Sequence, residues 1–323
     1  MILDVKGLNV DYVSAKGAVR AVNDVSFQLR RGEILGVAGE SGCGKSTLIM
    51  AIMRLLRPPA ALTGGEVWLH PRDGEPVDLA ARTDRELRAL RWRRIAVVLQ
   101  SAMDALNPVA RLSAQFADVL KAHGYRDAAK RTAELLEMVG ISPDRARSYP
   151  HEMSGGMRQR AMIALALACD PELVVMDEPT TAVDVVMQRQ ILSQILQLRD
   201  RLGFSVVFVT HDLSLLVELA DRIAVMYAGR IVEIGEAAGI YADPKHPYTK
   251  GLRDSFPPLR APVTKLSGIP GTPPALRDLP PGCAFEPRCT RRFGDCAERR
   301  PELLPVGGGL AACHLHDRER AHV

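Results

Sequence analysis

The sequence predicts an α/β fold built on a largely parallel sheet. Short apolar runs recur over roughly the first 240 residues without alternating with polar ones, and helical patterns separate them. A glycine-rich loop, residues 39–47, lies between one such run and an apolar helical stretch. Strands covered on both faces and joined by helices give this pattern.

The chain opens differently. Residues 2–29 alternate, with Val25, Phe27 and Leu29 on one face, as antiparallel strands do. Residues 33–39 make a buried strand ending in glycine, and 95–99, 173–176, 206–209 and 223–227 repeat its continuous apolar character. Ala228-Gly229 then turns the chain into 230–235, which reads as a hairpin. Between Asp104 and Pro150 strand signals disappear and helical spacing takes over, so a helical subdomain over about 102–168 is expected inside the α/β unit. After residue 242 the composition changes, and eight prolines between 257 and 281 break up the segment. The expected division is 1–242 for the α/β unit and 243–323 for a C-terminal extension.

Composition narrows the classes. At 323 residues, 47% apolar and 25% charged, the chain can bury a proper core and has an ordinary globular balance. A net charge of +4 is small for this length and gives no reason to expect nucleic acid. The strand-like N-terminus carries no basic segment and no cleavable apolar stretch, so a cytoplasmic location is expected. The most apolar run, 161–169, is nine residues long, against the ~20 that a membrane-spanning helix needs. A membrane role would fall to other chains.

Gly39-Glu40-Ser41-Gly42-Cys43-Gly44-Lys45-Ser46-Thr47 fits the G-x-x-x-x-G-K-[ST] pattern, with a strand before it and a helix after it. Gly39, Gly42 and Gly44 let the backbone, Ser41 included, wrap a polyphosphate at a helix N-terminus that favours anions. Lys45 is expected to reach the β- and γ-phosphates, Ser46 to hold Mg²⁺ and Thr47 to meet the α-phosphate. Cys43 is read as a small filler of the loop, not a nucleophile.

The run 173–176 leads straight into Asp177-Glu178. Asp177 falls at the strand's C-terminal end, facing Mg²⁺, and Glu178 is placed to polarise the attacking water as general base. Alone, an acidic strand-to-loop turn would be unremarkable; beside a phosphate loop it is not. Gln100 ends the run 95–99, and His211 follows 206–209. Strand ends of one parallel sheet converge on one edge, so Lys45, Gln100, Asp177, Glu178 and His211 should share a crevice.

Met153-Ser154-Gly155-Gly156-Met157-Arg158-Gln159-Arg160 resembles the signature of ABC ATPases, usually L-S-G-G-Q, set before a helix. The order of phosphate loop, Gln100, signature, Asp177-Glu178, Val183-Asp184 and His211 matches that family. Segments 100–108, 178–185, 246–252 and 268–271 are similar to the D-type ATPase of dipeptide/oligopeptide ABC importers, with Ser101 and Ala102 departing from its pattern. The resemblance spans essentially the whole chain. It implies a P-loop NTPase-type ABC nucleotide-binding domain with an N-terminal antiparallel β-subdomain, the inserted helical subdomain and the extension.

The same resemblance implies ATP hydrolysis at the cytoplasmic face of a membrane. Peptide uptake would run through two transmembrane permease subunits fed by an extracytoplasmic solute-binding protein. A second ABC ATPase subunit would lay its signature over the ATP bound here, while Ser154, Gly155 and Gly156 close over the partner's ATP, Ser154 as a helix cap. Gln100 would join Ser46 and Asp177 at Mg²⁺ and couple the site to the permeases, and His211 would hold the γ-phosphate. Tyr12, with Val19, would meet the adenine ring. The alternatives are a soluble ABC ATPase of DNA repair or translation, or an importer of nickel or glutathione. One cassette without a coiled-coil insertion argues against the first; nothing in the sequence names the cargo.

Cys283, Cys289, Cys296 and Cys313 crowd the proline-rich end. The lack of an export signal argues against disulfides. Four thiolates suit a [4Fe–4S] cluster or a structural zinc ion, although the C-x2-C pairs of zinc sites are missing; metal-free thiols are the third reading. Peptide-importer subunits with this tail are associated with an iron–sulfur cluster, so the resemblance makes [4Fe–4S], in a structural role, the expectation. His314 and His316 are read as solvated neighbours of Cys313.

Overall fold

Two β-sheets organise the chain, and the computed structural model describes residues 1–99, 105–180, 184–255 and 268–320, with side chains through 317. β1 (Leu3–Ser14) and β2 (Gly17–Leu29) form a long antiparallel hairpin. β3 (Ile34–Ala38) opens the second sheet, while β4 (Ala60–Leu69) and β5 (Val77–Asp78) return to the first, whose order is β2-β1-β4-β5. The second sheet continues with β6 (Ile95–Val98), β7 (Leu173–Asp177), β8 (Ser205–Val209), β9 (Arg222–Tyr227) and β10 (Arg230–Glu236). β11 (Leu304–Val306) and β12 (Gly309–Ala311) complete it, in the order β11-β12-β10-β9-β3-β8-β7-β6. From β9 to β6 the strands run parallel; β10, β12 and β11 are antiparallel additions at one edge.

The continuous apolar runs have a direct cause: each strand of the parallel sheet feeds two cores. Ile34, Val174, Met176, Val206 and Phe208 face one core together with Phe116, Leu135 and Ile163 from the helices. Leu35, Leu173, Val175, Val207 and Val209 face the other, against Val5, Val25 and Leu48. Successive side chains point to opposite faces, so a strand buried on both sides can spare no polar position. The helical stretch expected after Asp104 contains the helices Leu112–Ala122, Ala128–Met138 and Gly155–Ala166. Among the described residues no helix is long and apolar enough to cross a membrane.

Two features depart from the sequence reading. β4 lacks a clean strand pattern because Gly64-Gly65 interrupts it. Gly65 sits at φ 91°, and a Cβ there would lie 2.5 Å from the Gly7 carbonyl oxygen, so only glycine lets the strands meet. The extension, read as broken up by its prolines, nonetheless joins both the sheet and the core. β12 pairs with β10, and Phe285 and Tyr248 are buried against Tyr227 with ring centroids 5.3 and 4.5 Å from it.

Candidate functional site

β3, β8 and β7 are neighbours in the sheet, so the segments leaving their C-terminal ends lie side by side. They enclose a cavity of 670 Å³ bordered by Ser41, Lys45, Ser46, Thr47, Glu178 and His211, with Gly42 and Gly44 in the loop wall. Six expected residues lie outside this lining. Gly39 and Cys43 pack against each other on the inner side of the loop, Asp177 is buried 3% exposed below Ser46, and Ser154, Gly155 and Gly156 belong to the signature helix and its cap. Gln100 lies outside the described residues.

The loop is built from backbone. Gly44 caps the helix Lys45–Ile52 at φ 107°, where a Cβ would stand 2.3 Å from the Ala21 carbonyl oxygen. Behind the loop, Ala228 and Gly229 form the β9–β10 turn with φ 48° and 82°. Two successive positive φ values are what the type I′ two-residue hairpin turn requires. The Gly229 N–H donates to the Cys43 carbonyl at 2.9 Å, and the Asn23 N–H donates to the Gly229 carbonyl at 2.8 Å. Lys45 is 5% exposed, and its Nζ donates to the carbonyls of Gly39 at 2.7 Å and Glu40 at 3.0 Å. Burial pushes the Cys43 thiol up, against the pull of nearby Lys45, which leaves a neutral packing group.

The two carboxylates differ. Burial raises Asp177 above the ordinary aspartate value, with a hydrogen bond from Ser46 working against it. Its Oδ1 is buried with no hydrogen-bond partner. A shielded carboxylate oxygen next to a serine hydroxyl suits a hard, oxygen-seeking cation, so Ser46 and Asp177 fit the Mg²⁺ that this chemistry calls for. Glu178 adopts φ 44°, a left-handed conformation uncommon outside glycine, while its N–H donates to the Val209 carbonyl at 2.9 Å. That backbone turns its carboxylate into the cavity, where Oε1 lies 3.2 Å from His211 Nδ1.

At the far end Tyr12 and Val19 border the same cavity. The Tyr12 hydroxyl is hydrogen-bonded to Thr47 Oγ1 at 3.1 Å, and the residue is 38% exposed, leaving ring surface for a flat ligand. The signature stands apart from this cavity. Ser154 caps the helix Gly155–Ala166 by accepting the Met157 N–H at 3.3 Å. Gly156 is pressed against Met187, whose own helix, Val185–Leu202, is capped by Asp184. Sequence reasoning missed Glu40, Leu252 and Leu276, which also border the cavity. Glu40 occupies a variable position of the loop pattern, and no local signal marks the two leucines.

The iron–sulfur expectation is corrected. Cys283, Cys289, Cys296 and Cys313 border one small cavity of 20 Å³, yet all are free cysteines. Among the described residues no group of three or more His, Cys, Asp or Glu side chains stands so as to hold a metal ion. The zinc alternative has no support either. Burial pushes Cys283 up to about 11 and Cys313 up to about 12, so they are neutral thiols that pack as small apolar groups. His314 is not solvated: it is 2% exposed, with Nδ1 2.8 Å from Asp317 and Nε2 2.7 Å from the Arg299 carbonyl.

Comparison with known proteins agrees with this geometry. Residues 22–181 match the ABC transporter family, and residues 232–296 match the C-terminal region of oligopeptide/dipeptide transporters. A probable peptide ABC transporter ATP-binding protein of Sinorhizobium fredii is 44% identical over 99% of this chain and 96% of its own length. The dipeptide transport ATP-binding protein DppD of Bacillus subtilis is 41% identical over 99% of this chain and 96% of its own. Among solved structures, a dimeric ATP-binding cassette in a post-hydrolysis state with ADP and phosphate superposes with a TM-score of 0.64 at 27% identity. It covers 73% of this chain and 99% of that one. A phosphate loop on a parallel sheet, paired carboxylates at the end of β7 and 44% identity over nearly the whole chain converge: the chain belongs to the ABC transporter ATP-binding family, in the group that carries the oligopeptide/dipeptide C-terminal region, and is an ATPase.

Proposed function

We propose that this chain is the ATP-hydrolysing subunit of an importer that takes up dipeptides or oligopeptides through separate membrane permeases. Residues 1–242 act as the motor, and 243–323 as an extension of it. The observation that carries the reading is the single crevice bordered by Lys45, Ser46 and the Glu178–His211 pair, with Asp177 buried beneath Ser46. Peptide cargo rests on the relatives named above and on the match at 232–296.

Lys45 would turn from the loop carbonyls to the β- and γ-phosphates, and the loop N–H groups would surround them. Ser46 and Asp177 would hold Mg²⁺, which would supply positive charge against that of the phosphates. Glu178 accepts a proton from water as its oxygen bonds to the γ-phosphorus and the bond to ADP breaks; the proton then passes to solvent. His211, hydrogen-bonded to Glu178, fixes the carboxylate's direction. Ser154, Gly155 and Gly156 would close over ATP held by a second ATPase subunit, which explains why they stand away from this chain's own cavity. Tyr12 stacks on the adenine.

Affinity purification from gently solubilised membranes tests the assembly. Two permeases, a second ATPase and a peptide-loaded binding protein are the expected companions. Recovery with ribosomes or DNA-repair proteins and no permease would overturn the transport reading.

A further inference from the structure

Glu40 puts a negative charge on the wall of a cavity that receives a polyanion. Like charges at this range repel strongly where water is partly excluded. Arg288, which lies 248 residues further along in the extension, answers that charge. Its Nη1 donates to Glu40 Oε2 at 2.7 Å and its Nη2 to Oε1 at 2.9 Å, a bidentate pair. The Arg288 side chain is 5% exposed and that of Glu40 is 24% exposed.

The guanidinium is held from every side. Nε donates to the Pro270 carbonyl at 2.8 Å, Nη2 also to the Gly271 carbonyl at 3.4 Å, and Nη1 also to the Tyr227 hydroxyl at 3.3 Å. The rings of Tyr227 and Phe285 each lie 5.9 Å from its central carbon. Glu40 is pinned at its main chain too: its N–H donates to the Tyr248 hydroxyl at 2.8 Å, and its carbonyl accepts from Lys45 Nζ at 3.0 Å. One loop residue therefore ties the extension to the lysine of the phosphate site.

We propose that Arg288 is a positioning residue of the nucleotide site, cancelling the charge of Glu40 and holding its carboxylate off the incoming phosphates. The extension is then part of MgATP binding and not an appendage to it. This inference rests on the reading of the cavity as the MgATP site. A purely structural Arg288 makes a different prediction, because removing Glu40's charge as well would then restore nothing.

The test is calorimetric binding of MgATP and MgADP to the full-length chain, with thermal unfolding of each variant alongside. Arg288→Ala should weaken MgATP binding about tenfold, the scale of one charge-assisted hydrogen bond, and MgADP binding less. Arg288→Ala combined with Glu40→Gln should recover to within about threefold of wild type, as should Arg288→Lys, which keeps the charge without the fork. Wild-type affinity in Arg288→Ala overturns the proposal. So does a double variant as weak as the single one. Should Arg288→Ala not fold, Arg288→Lys decides: a loss of about tenfold or more there defeats the charge argument. Lys45→Ala is the control for the cavity itself; if it binds MgATP like wild type, the nucleotide reading fails, whatever Arg288 does.

Discussion

The phosphate loop and the cysteine-bearing end of the chain are fixed by opposite means. Residues 39–47 are held through main-chain groups, with the Cys43 carbonyl on Gly229 and Gly44 wedged against Ala21, so Ser46 and Thr47 face the cavity. Between 283 and 314 the side chains do the holding: Phe285, Cys296 and His314 are buried, and Arg288 spends all its nitrogens on partners. A segment fixed by its backbone keeps its reactive groups available for a ligand. One fixed by its side chains has already used them.

That contrast can be broken most severely at the loop end of the molecule. Glu178→Gln should lower phosphate release by about 10²- to 10⁴-fold, the range of general-base contributions, while MgATP binding persists. Turnover near wild type would remove Glu178 as the base. At the other end of the cavity, Tyr12→Ala should weaken ATP binding by about tenfold with kcat unchanged, since stacking is worth ~1–3 kcal/mol per base. Unaltered affinity would mean that the base sits elsewhere.

The remaining effect lies in the extension and is read against pH. His246 is 1% exposed and accepts the Tyr248 N–H at 3.0 Å, and burial, with nearby His316, holds it down to about 3. Its folded value lies below the ordinary 6.5, so the unfolded chain takes up the proton first. The stability it contributes is complete above 6.5 and is lost as pH falls toward 3. Denaturant unfolding should therefore lose up to about 1.4 kcal/mol per pH unit in that window, and His246→Asn should flatten the slope. An unchanged slope would show that other groups govern acid sensitivity.

The loop was legible because its chemistry demands particular residues in one contiguous stretch, and its strand and helix flanks could be checked. Asp177, Glu178 and His211 were legible from their places just after apolar runs. Glu40 with Arg288, and Glu40 with Tyr248, were not, because those contacts join loop and extension with nothing local to mark either partner. β4 was hidden by Gly64-Gly65. The cysteines misled for a different reason: one spacing serves metal ligation and close packing equally, and only the three-dimensional arrangement, which gathers no metal-holding group among the described residues, decides between them. Gln100 falls outside the described residues and stays an expectation.

The hairpin of β11 and β12 has a consequence for how the molecule behaves among its own copies. Without it, β10 would offer Ile231, Val232 and Ile234 along an open sheet edge, the kind of surface on which another chain can add a strand. β12 pairs with the second half of β10, at Glu233 and Ile234, and the margin there is β11, three residues long with Pro305 at its centre. A proline has no N–H to offer a further strand. The last stretch of the chain thus ends the sheet on a margin too short and too poor in donors to seed aggregation.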